Sequence, residues 1–219
     1  MALREGEPAP GGGRRRAGSA VPGRVPDGSV GARGAGAQRA VEPDADPVDV
    51  ARQICLQQLG HGPRTRAELA AVLARRGVPD DAAGQVLGRL AEVGMVNDAL
   101  FAEMWVASRH RGRGLAGRAL SQELRRKGVD EELVRGAVDT LDPERELRTA
   151  KELVARRLPS TRGLALDVRV RRLAGLLARK GYPAGTAFRV VRAVLAEEGV
   201  DPEVLPEPDV DLAPDPADI

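Results

Sequence analysis

One short pattern occurs three times along this chain and constrains its fold more than any other feature. In each copy two leucines stand four residues apart, two basic residues follow, and a glycine lies eight residues after the first leucine. The copies run from Leu69 to Gly77, from Leu120 to Gly128 and from Leu173 to Gly181. The glycines are 51 and 53 residues apart, and a fixed period of about 50 residues predicts a repeat architecture.

Each copy predicts one helix and the residue that ends it. Leucines at i and i+4 lie on one helix face, so both are expected to be buried. Basic residues in the last turn favour the negative end of the helix dipole. A glycine then takes the left-handed conformation that ends many helices. We therefore expect Gly77, Gly128 and Gly181 to be helix stops.

Two further helices flank each copy. Helical stretches precede the copies at about 49–59, 98–109 and 144–157. An apolar pair follows ten and thirteen residues after each glycine: Leu87 and Leu90, Val138 and Leu141, Val191 and Val194. The predicted fold is all-α, with three tandem three-helix repeats over about 48–96, 97–142 and 143–199. Units of about 50 residues are marginally stable alone, so we expect them to share apolar faces in an elongated, curved body.

Composition separates this body from two tails. Residues 1–47 are rich in Gly, Ala, Pro and Arg and hold no large apolar cluster, which predicts disorder. Residues 200–219 contain seven acids, five prolines and no Lys or Arg, which predicts an acidic disordered tail. Acids tethered to a basic body could fold back and screen it.

The body itself is basic. Residues 48–199 carry 27 basic and 19 acidic side chains, a net charge of +8 that suits nucleic acid or an acidic protein surface. A solvated arginine-rich surface is the alternative. The single cysteine, Cys55, has no partner for an internal disulfide and is expected to be buried in a reduced cytoplasmic protein. No apolar run is long enough to span a membrane, and nothing predicts a stable oligomer.

Catalytic chemistry is not predicted. His61 and His110 lie in loop-like sequence about fifty residues apart, with no cysteine or patterned acid beside them, so no metal or cofactor is expected. Gly112 and Gly114 flank an arginine, without the lysine and preceding strand of a phosphate-binding loop. We therefore expect a protein that is not an enzyme.

The most distinctive segment opens the second repeat. Asn97 can cap a helix with Asp98 in its first turn. Phe101 and Trp105 follow one turn apart, which predicts a core staple between repeats one and two; a base-stacking platform is the alternative. A basic cluster comes next, with glycines that predict a flexible loop at 112–114 able to meet phosphates or carboxylates. The candidate partner-binding residues are Arg109, Arg111, Arg113, Arg118, Arg125, Arg126 and Lys127.

These residues resemble those of the RecX regulatory proteins. The resemblance covers about residues 48–199 and is most specific from Gly94 through Arg109, in the Gly112–Gly114 segment, and from Leu124 to Val129. It implies tandem three-helix units that bind the RecA recombinase filament on single-stranded DNA. It also implies inhibition of ATP hydrolysis and strand exchange, and hence modulation of recombination and DNA repair. Direct contact with the single-stranded DNA backbone is a further expectation.

Two other functions fit parts of the sequence. Residues 50–96 resemble a winged-helix plan with a recognition helix at 82–93, although that helix carries Arg89 as its only base. Such a protein would bind duplex or single-stranded DNA directly. A structural adaptor whose tails make the contacts is the third possibility.

Overall fold

The computed structural model describes residues 46–205, and this part of the chain is helical throughout with no strand. Repeat one contains α1 (Pro47–Gly60), α2 (Arg66–Arg75) and α3 (Asp80–Glu92). Repeat two contains α4 (Asp98–Arg113), α5 (Gly117–Arg126) and α6 (Glu131–Asp139). Repeat three contains α7 (Pro143–Arg157), α8 (Leu166–Arg179) and α9 (Ala184–Glu197), and short 3-10 helices lie at Leu158–Thr161 and Pro202–Val204. The prediction of an all-α fold with three tandem three-helix repeats is confirmed.

The repeated pattern forms the same helix end in every repeat. The three glycines have φ values of 74°, 73° and 90°. The N–H of the residue after each glycine donates to the carbonyl of the second leucine, at 3.1 Å for Val78 to Leu73 in the first copy. This is the Schellman arrangement, in which the residue after the glycine also packs against that leucine. All six leucines are at most 1% exposed, so the predicted helix stops and buried leucines are confirmed.

Each repeat closes a hydrophobic core of its own. The core of repeat one includes Cys55, whose thiol pKa is raised by burial. Repeats two and three have separate clusters, and Ala116 is the one residue of repeat two that belongs to the core of repeat three. Every extensive helix–helix contact lies within a repeat. The repeats therefore share little apolar surface, and their apolar contacts across the junctions involve small residues such as Ala116, Ala67 and Ala119.

The third helix of repeat two is shorter than the sequence predicts. α6 ends at Asp139, so Leu141 lies beyond it, and the helix buries Val134 and Ala137 rather than Val138. The corresponding pairs lie within α3 and α9, and all four side chains are buried.

The two junctions between repeats share one geometry. At the first, Thr65 Oγ1 donates to the carbonyl of Lys127 at 2.7 Å. At the second, the N–H of Ala116 donates to the carbonyl of Lys180 at 2.8 Å. Thr65 and Ala116 each stand twelve residues before their own repeat's glycine, and each acceptor immediately precedes the next repeat's glycine. The start of one second helix therefore docks on the end of the next.

The glycines of repeats two and three also allow this close approach. A methyl group at Gly128 would overlap Ala67 of repeat one. A methyl group at Gly181 would lie 2.5 Å from the backbone nitrogen of Ala119 in repeat two. Gly77 of repeat one has no such neighbour within 4 Å among the described residues. Two of the three repeated glycines therefore serve the junctions as well as the helix ends.

The described chain includes the first residues of the predicted acidic tail. Val200 packs against the core of repeat three, and Leu205 is buried within it. Residues 200–205 are thus part of the third repeat rather than of a disordered tail, because these two apolar side chains have a core to enter. The predicted disorder of residues 1–45 and 206–219 falls outside the described residues.

Candidate partner-binding surface

Helix α4 carries the most distinctive segment of the sequence and is longer than predicted. Asn97 caps it as expected, its side chain accepting the N–H of Leu100 at 2.9 Å. The helix then continues through Arg113 and ends at Gly114, whose φ is 63°. The prediction of a flexible arginine–glycine loop at 112–114 is therefore wrong. A glycine such as Gly112 costs only about 1 kcal/mol inside a helix, and flanking contacts hold this turn in place.

One of those contacts is His110, which is buried within α4 rather than in a loop. Its Nδ1 donates to the carbonyl of Leu115 at 2.9 Å, which ties the last turn of α4 to the segment that follows. Its Nε2 lies 3.2 Å from Thr149 Oγ1 on α7. His110 thus joins repeats two and three and anchors the turn that presents Arg111 and Arg113.

Phe101 and Trp105 form the centre of an aromatic and cationic cluster within repeat two, so the predicted staple between repeats is not seen directly between these two rings and repeat one. Their rings stack with centroids 5.5 Å apart, and Phe101 is buried in the core of repeat two. The guanidinium of Arg109 lies 4.1 Å and the ammonium of Lys127 lies 4.4 Å from the centroid of the Trp105 ring. Trp105 Nε1 donates to Glu123 Oε2 at 2.8 Å. With its ring covered by these groups, Trp105 does not offer the open platform that base stacking requires.

Lys127 links this cluster to repeat one. Its ammonium donates to Glu68 Oε1 at 2.7 Å, and Glu68 also accepts the N–H of Thr65 in a capping box at the start of α2. Burial alone would raise the pKa of Glu68, but these hydrogen bonds outweigh it and hold that pKa below its usual range. Asp98 adds a second link by accepting the N–H of Arg66 at 2.9 Å. Two of the highlighted residues, Asp98 and Lys127, therefore contact repeat one directly, whereas Trp105 and Arg109 make their contacts within repeat two.

The remaining predicted cations on α5 differ in their surroundings. Arg125 makes a two-point ion pair with Glu131, at 2.6 and 2.7 Å, on the solvent-exposed surface. This pair lowers the pKa of the Glu131 carboxyl, mainly through the hydrogen bond from Arg125. Arg118 and Arg126 are exposed and have no carboxylate within 4.0 Å among residues 46–205. The residues of the predicted basic cluster therefore do not share one environment, because some are ion-paired and others are exposed without a nearby carboxylate.

Arg111 and Arg113 face a cleft of about 640 Å³ between the end of α4 and α7. Six cationic side chains and one acidic side chain line it: Arg111, Arg113, Arg145, Arg148, Arg156, Lys180 and Glu152. Arg148 lies 3.6 Å from both Asp142 and Glu144, and Lys180 Nζ donates to the carbonyl of Arg113 at 2.9 Å. The other four arginines are exposed and have no carboxylate within 4.0 Å in the described part of the chain. The cleft can therefore hold an anionic ligand through several guanidinium groups.

Sequence reasoning missed the α7 side of this cleft. Arg145, Arg148, Glu152 and Arg156 recur at three- and four-residue intervals, which places them on one helix face. That arginine stripe is a signal visible in the sequence. What the sequence does not show is that the stripe faces Arg111 and Arg113 of another repeat, more than thirty residues away.

Comparisons with known proteins place this architecture in a family. Residues 51–90 match the family model described as RecX, first three-helix domain, and residues 97–138 match the model for the second such domain. A protein named regulatory protein RecX in Streptomyces coelicolor is 58% identical over 164 residues, covering 75% of this chain and 87% of the relative. The chain belongs to the RecX family. A second relative of that name, from Thermobifida fusca, is 53% identical over 184 residues, 83% of this chain and 95% of its own length.

Solved RecX structures share the fold. The crystal structure of RecX from Lactobacillus salivarius superposes with a TM-score of 0.64 at 16% identity, covering 69% of this chain and 98% of that one. Both RecX family models end before α7, at residues 90 and 138, so the α7 side of the cleft lies outside them.

Other kinds of site find no support in the described structure. Among residues 46–205, no three His, Cys, Asp or Glu side chains are grouped so that they could hold a metal ion. None of the helices in that range combines the length and the apolar character needed to cross a bilayer.

Proposed function

We propose that this chain binds the RecA recombinase filament on single-stranded DNA and inhibits its ATP hydrolysis and strand exchange. The observation that carries the proposal is family membership, established by 58% identity to a regulatory RecX protein over most of the chain. The resemblance of its repeats to RecX implies RecA as the partner. In this role the chain modulates recombination and DNA repair in the cytoplasm, as a monomer without catalytic activity or cofactor of its own.

The cationic cleft supports this function because it suits an anionic partner. Arg111, Arg113, Arg145 and Arg156 present four guanidinium groups that no described carboxylate neutralises. Such groups suit both carboxylates on a protein and phosphates of the DNA inside the filament. We propose that these four residues, with Arg118 and Arg126 on neighbouring α5, form the polar part of the contact. Arg109, Arg125 and Lys127 are assigned to intramolecular pairs instead.

Helix α4 also exposes apolar side chains that suit a protein partner. Leu100 and Met104 lie one turn apart and are 51% and 53% exposed. Val93 and Met95, in the segment before α4, are similarly exposed. An exposed apolar patch next to charged surface is typical of protein–protein contacts, whereas a surface that binds only nucleic acid has little use for it.

Direct DNA binding through a winged helix is less well supported. The proposed recognition helix α3 carries Arg89 as its only base, and that side chain pairs with Glu92 of the same helix at 3.0 Å. Salt-dependent binding to duplex DNA in the absence of RecA would favour this function instead.

The test is RecA-dependent ATP hydrolysis on single-stranded DNA, measured as the concentration of this protein increases. We expect the rate to fall toward zero as sites on the filament fill. An unchanged rate at concentrations where sedimentation shows the protein bound would contradict inhibition, and absence of co-sedimentation would contradict binding.

A further inference from the structure

The cleft between α4 and α7 carries more positive charge than the described residues neutralise. Its six cations face one lining acid, Glu152, and only Arg148 has carboxylates of other residues nearby, at 3.6 Å. Like charges held together repel one another, and an anionic occupant relieves that repulsion. The cleft is also bounded on two sides by helices, so an extended polyanion can lie along it and meet several arginines at once.

The chain itself supplies a segment of complementary charge. Residues 206–219 contain five acids and no Lys or Arg: Glu207, Asp209, Asp211, Asp215 and Asp218. Five negative charges match the net five positive charges of the lining side chains. The four prolines of this segment lack N–H donors and disfavour a helix, which favours an extended ligand.

The described chain ends where this segment can reach the cleft. Leu205 is buried in the core of repeat three, which also contains Ala150 and Val154 of α7, so the segment starts from the repeat that forms one side of the cleft. α7 has 15 residues and is about 22 Å long. The fourteen residues that follow Leu205 span at most about 45–50 Å when extended, twice the length of the helix. A segment of this length that starts from the core of repeat three can reach the stripe formed by Arg145, Arg148 and Arg156 on α7.

We propose that the α4–α7 cleft is a binding site for acidic peptide, and that its occupant in the free protein is the chain's own segment 206–219. A tethered segment acts at an effective concentration on the order of millimolar, so it competes with any other polyanion for the cleft. This inference concerns the free protein and does not depend on the proposed action on RecA. If both hold, the segment weakens binding to the filament until the filament displaces it.

The test uses a fluorescent synthetic peptide of residues 206–219 as the probe. Its host is the full chain with the five acids neutralised, E207Q, D209N, D211N, D215N and D218N. At low salt we expect this neutral-tail protein to bind the peptide at least tenfold more tightly than the unmodified chain, whose own segment occupies the cleft. Adding R145Q and R156Q to the neutral-tail protein should weaken peptide binding at least tenfold. Adding R75Q and R76Q, an exposed pair on repeat one, should change it less than twofold.

Three results would overturn the inference. The first is equal peptide affinity for the neutral-tail and unmodified chains. The second is an equal loss of peptide affinity in the R145Q/R156Q and R75Q/R76Q variants, which would show diffuse charge attraction rather than a defined binding site. The third is binding of oligothymidine but not of peptide at the cleft, which would assign it to nucleic acid. RecA-dependent ATP hydrolysis, measured with the same proteins, separates the proposals, because peptide binding without inhibition contradicts only the action on RecA.

Discussion

At the scale of single residues, the repeated glycines combine a predictable role with an unpredictable one. The left-handed φ of Gly77, Gly128 and Gly181 follows from the basic residues and glycine that end each pattern. The close approach at Gly128 and Gly181 does not, because the atoms that meet them, on Ala67 and Ala119, come from the preceding repeat. Local sequence determines backbone conformation, whereas a tertiary contact depends on how repeats are joined.

This difference makes the three glycines a matched set for mutation. Gly77→Ala should destabilise the protein by about 1–2 kcal/mol, the cost of a left-handed conformation for alanine. Gly128→Ala and Gly181→Ala carry the same cost and add a steric overlap worth about 1–3 kcal/mol more. Urea unfolding followed by circular dichroism measures the three losses. Equal losses at all three positions would contradict the assigned junction contacts.

At the scale of helices, the sequence predicted most elements but misplaced two boundaries. Periodic leucines, caps and glycine stops give the order of the nine described helices. The sequence predicts that α4 ends near residue 109, because glycine at position 112 has a low helix propensity. In the structure the buried contacts of His110 hold one further turn of the helix. Half of the cleft was predictable from the basic cluster on α4. The other half required knowing that α7 lies opposite, which only the fold shows.

The junction of α2 with α5 should respond to acid. The pKa of Glu68 is lower in the folded protein than its usual value of 4.5, so protonation favours the unfolded state. The stabilisation by Glu68 is therefore fully present above its unfolded pKa and disappears as pH falls through the folded pKa. From pH 7 to pH 5 we expect the unmodified protein to have a higher thermal midpoint than the Glu68→Gln variant. This gap between the two midpoints should close as the pH falls toward 3. A gap that stays constant down to pH 3 would show that the Glu68 charge is not the cause.

The exposed face of α4 offers a test of the apolar contact. The double variant Leu100→Gln/Met104→Gln should raise the protein concentration needed for half-maximal inhibition of RecA about tenfold. The reason is that replacing an apolar side chain at the centre of an interface often costs that much affinity. Stability should change little, because both side chains are about half exposed. The matched control is Leu56→Gln on α1, which is 43% exposed and lies away from this segment in sequence. A similar loss in the control, or none in the pair, would remove α4 from the interface.

At the scale of the whole molecule, repeat three differs from the other two repeats at the position that docks the next repeat. Twelve residues before each repeated glycine stand Thr65, Ala116 and Arg169, and the first two dock the next repeat. In repeat three α8 begins earlier, at Leu166, so Arg169 lies inside the helix and its guanidinium donates to Glu198. The extra turn therefore replaces the docking position that repeats one and two share.

We propose that the α4–α7 cleft carries the inhibitory contact of this RecX family member with RecA. The most direct measurement compares inhibition of RecA-dependent ATP hydrolysis by the unmodified chain, by R145Q/R156Q and by R75Q/R76Q. All four arginines are exposed, so helix content measured in parallel should be unchanged. We predict that R145Q/R156Q needs at least tenfold more protein for half-maximal inhibition, while R75Q/R76Q stays within twofold of the unmodified chain. Equal inhibition by all three proteins would contradict the claim.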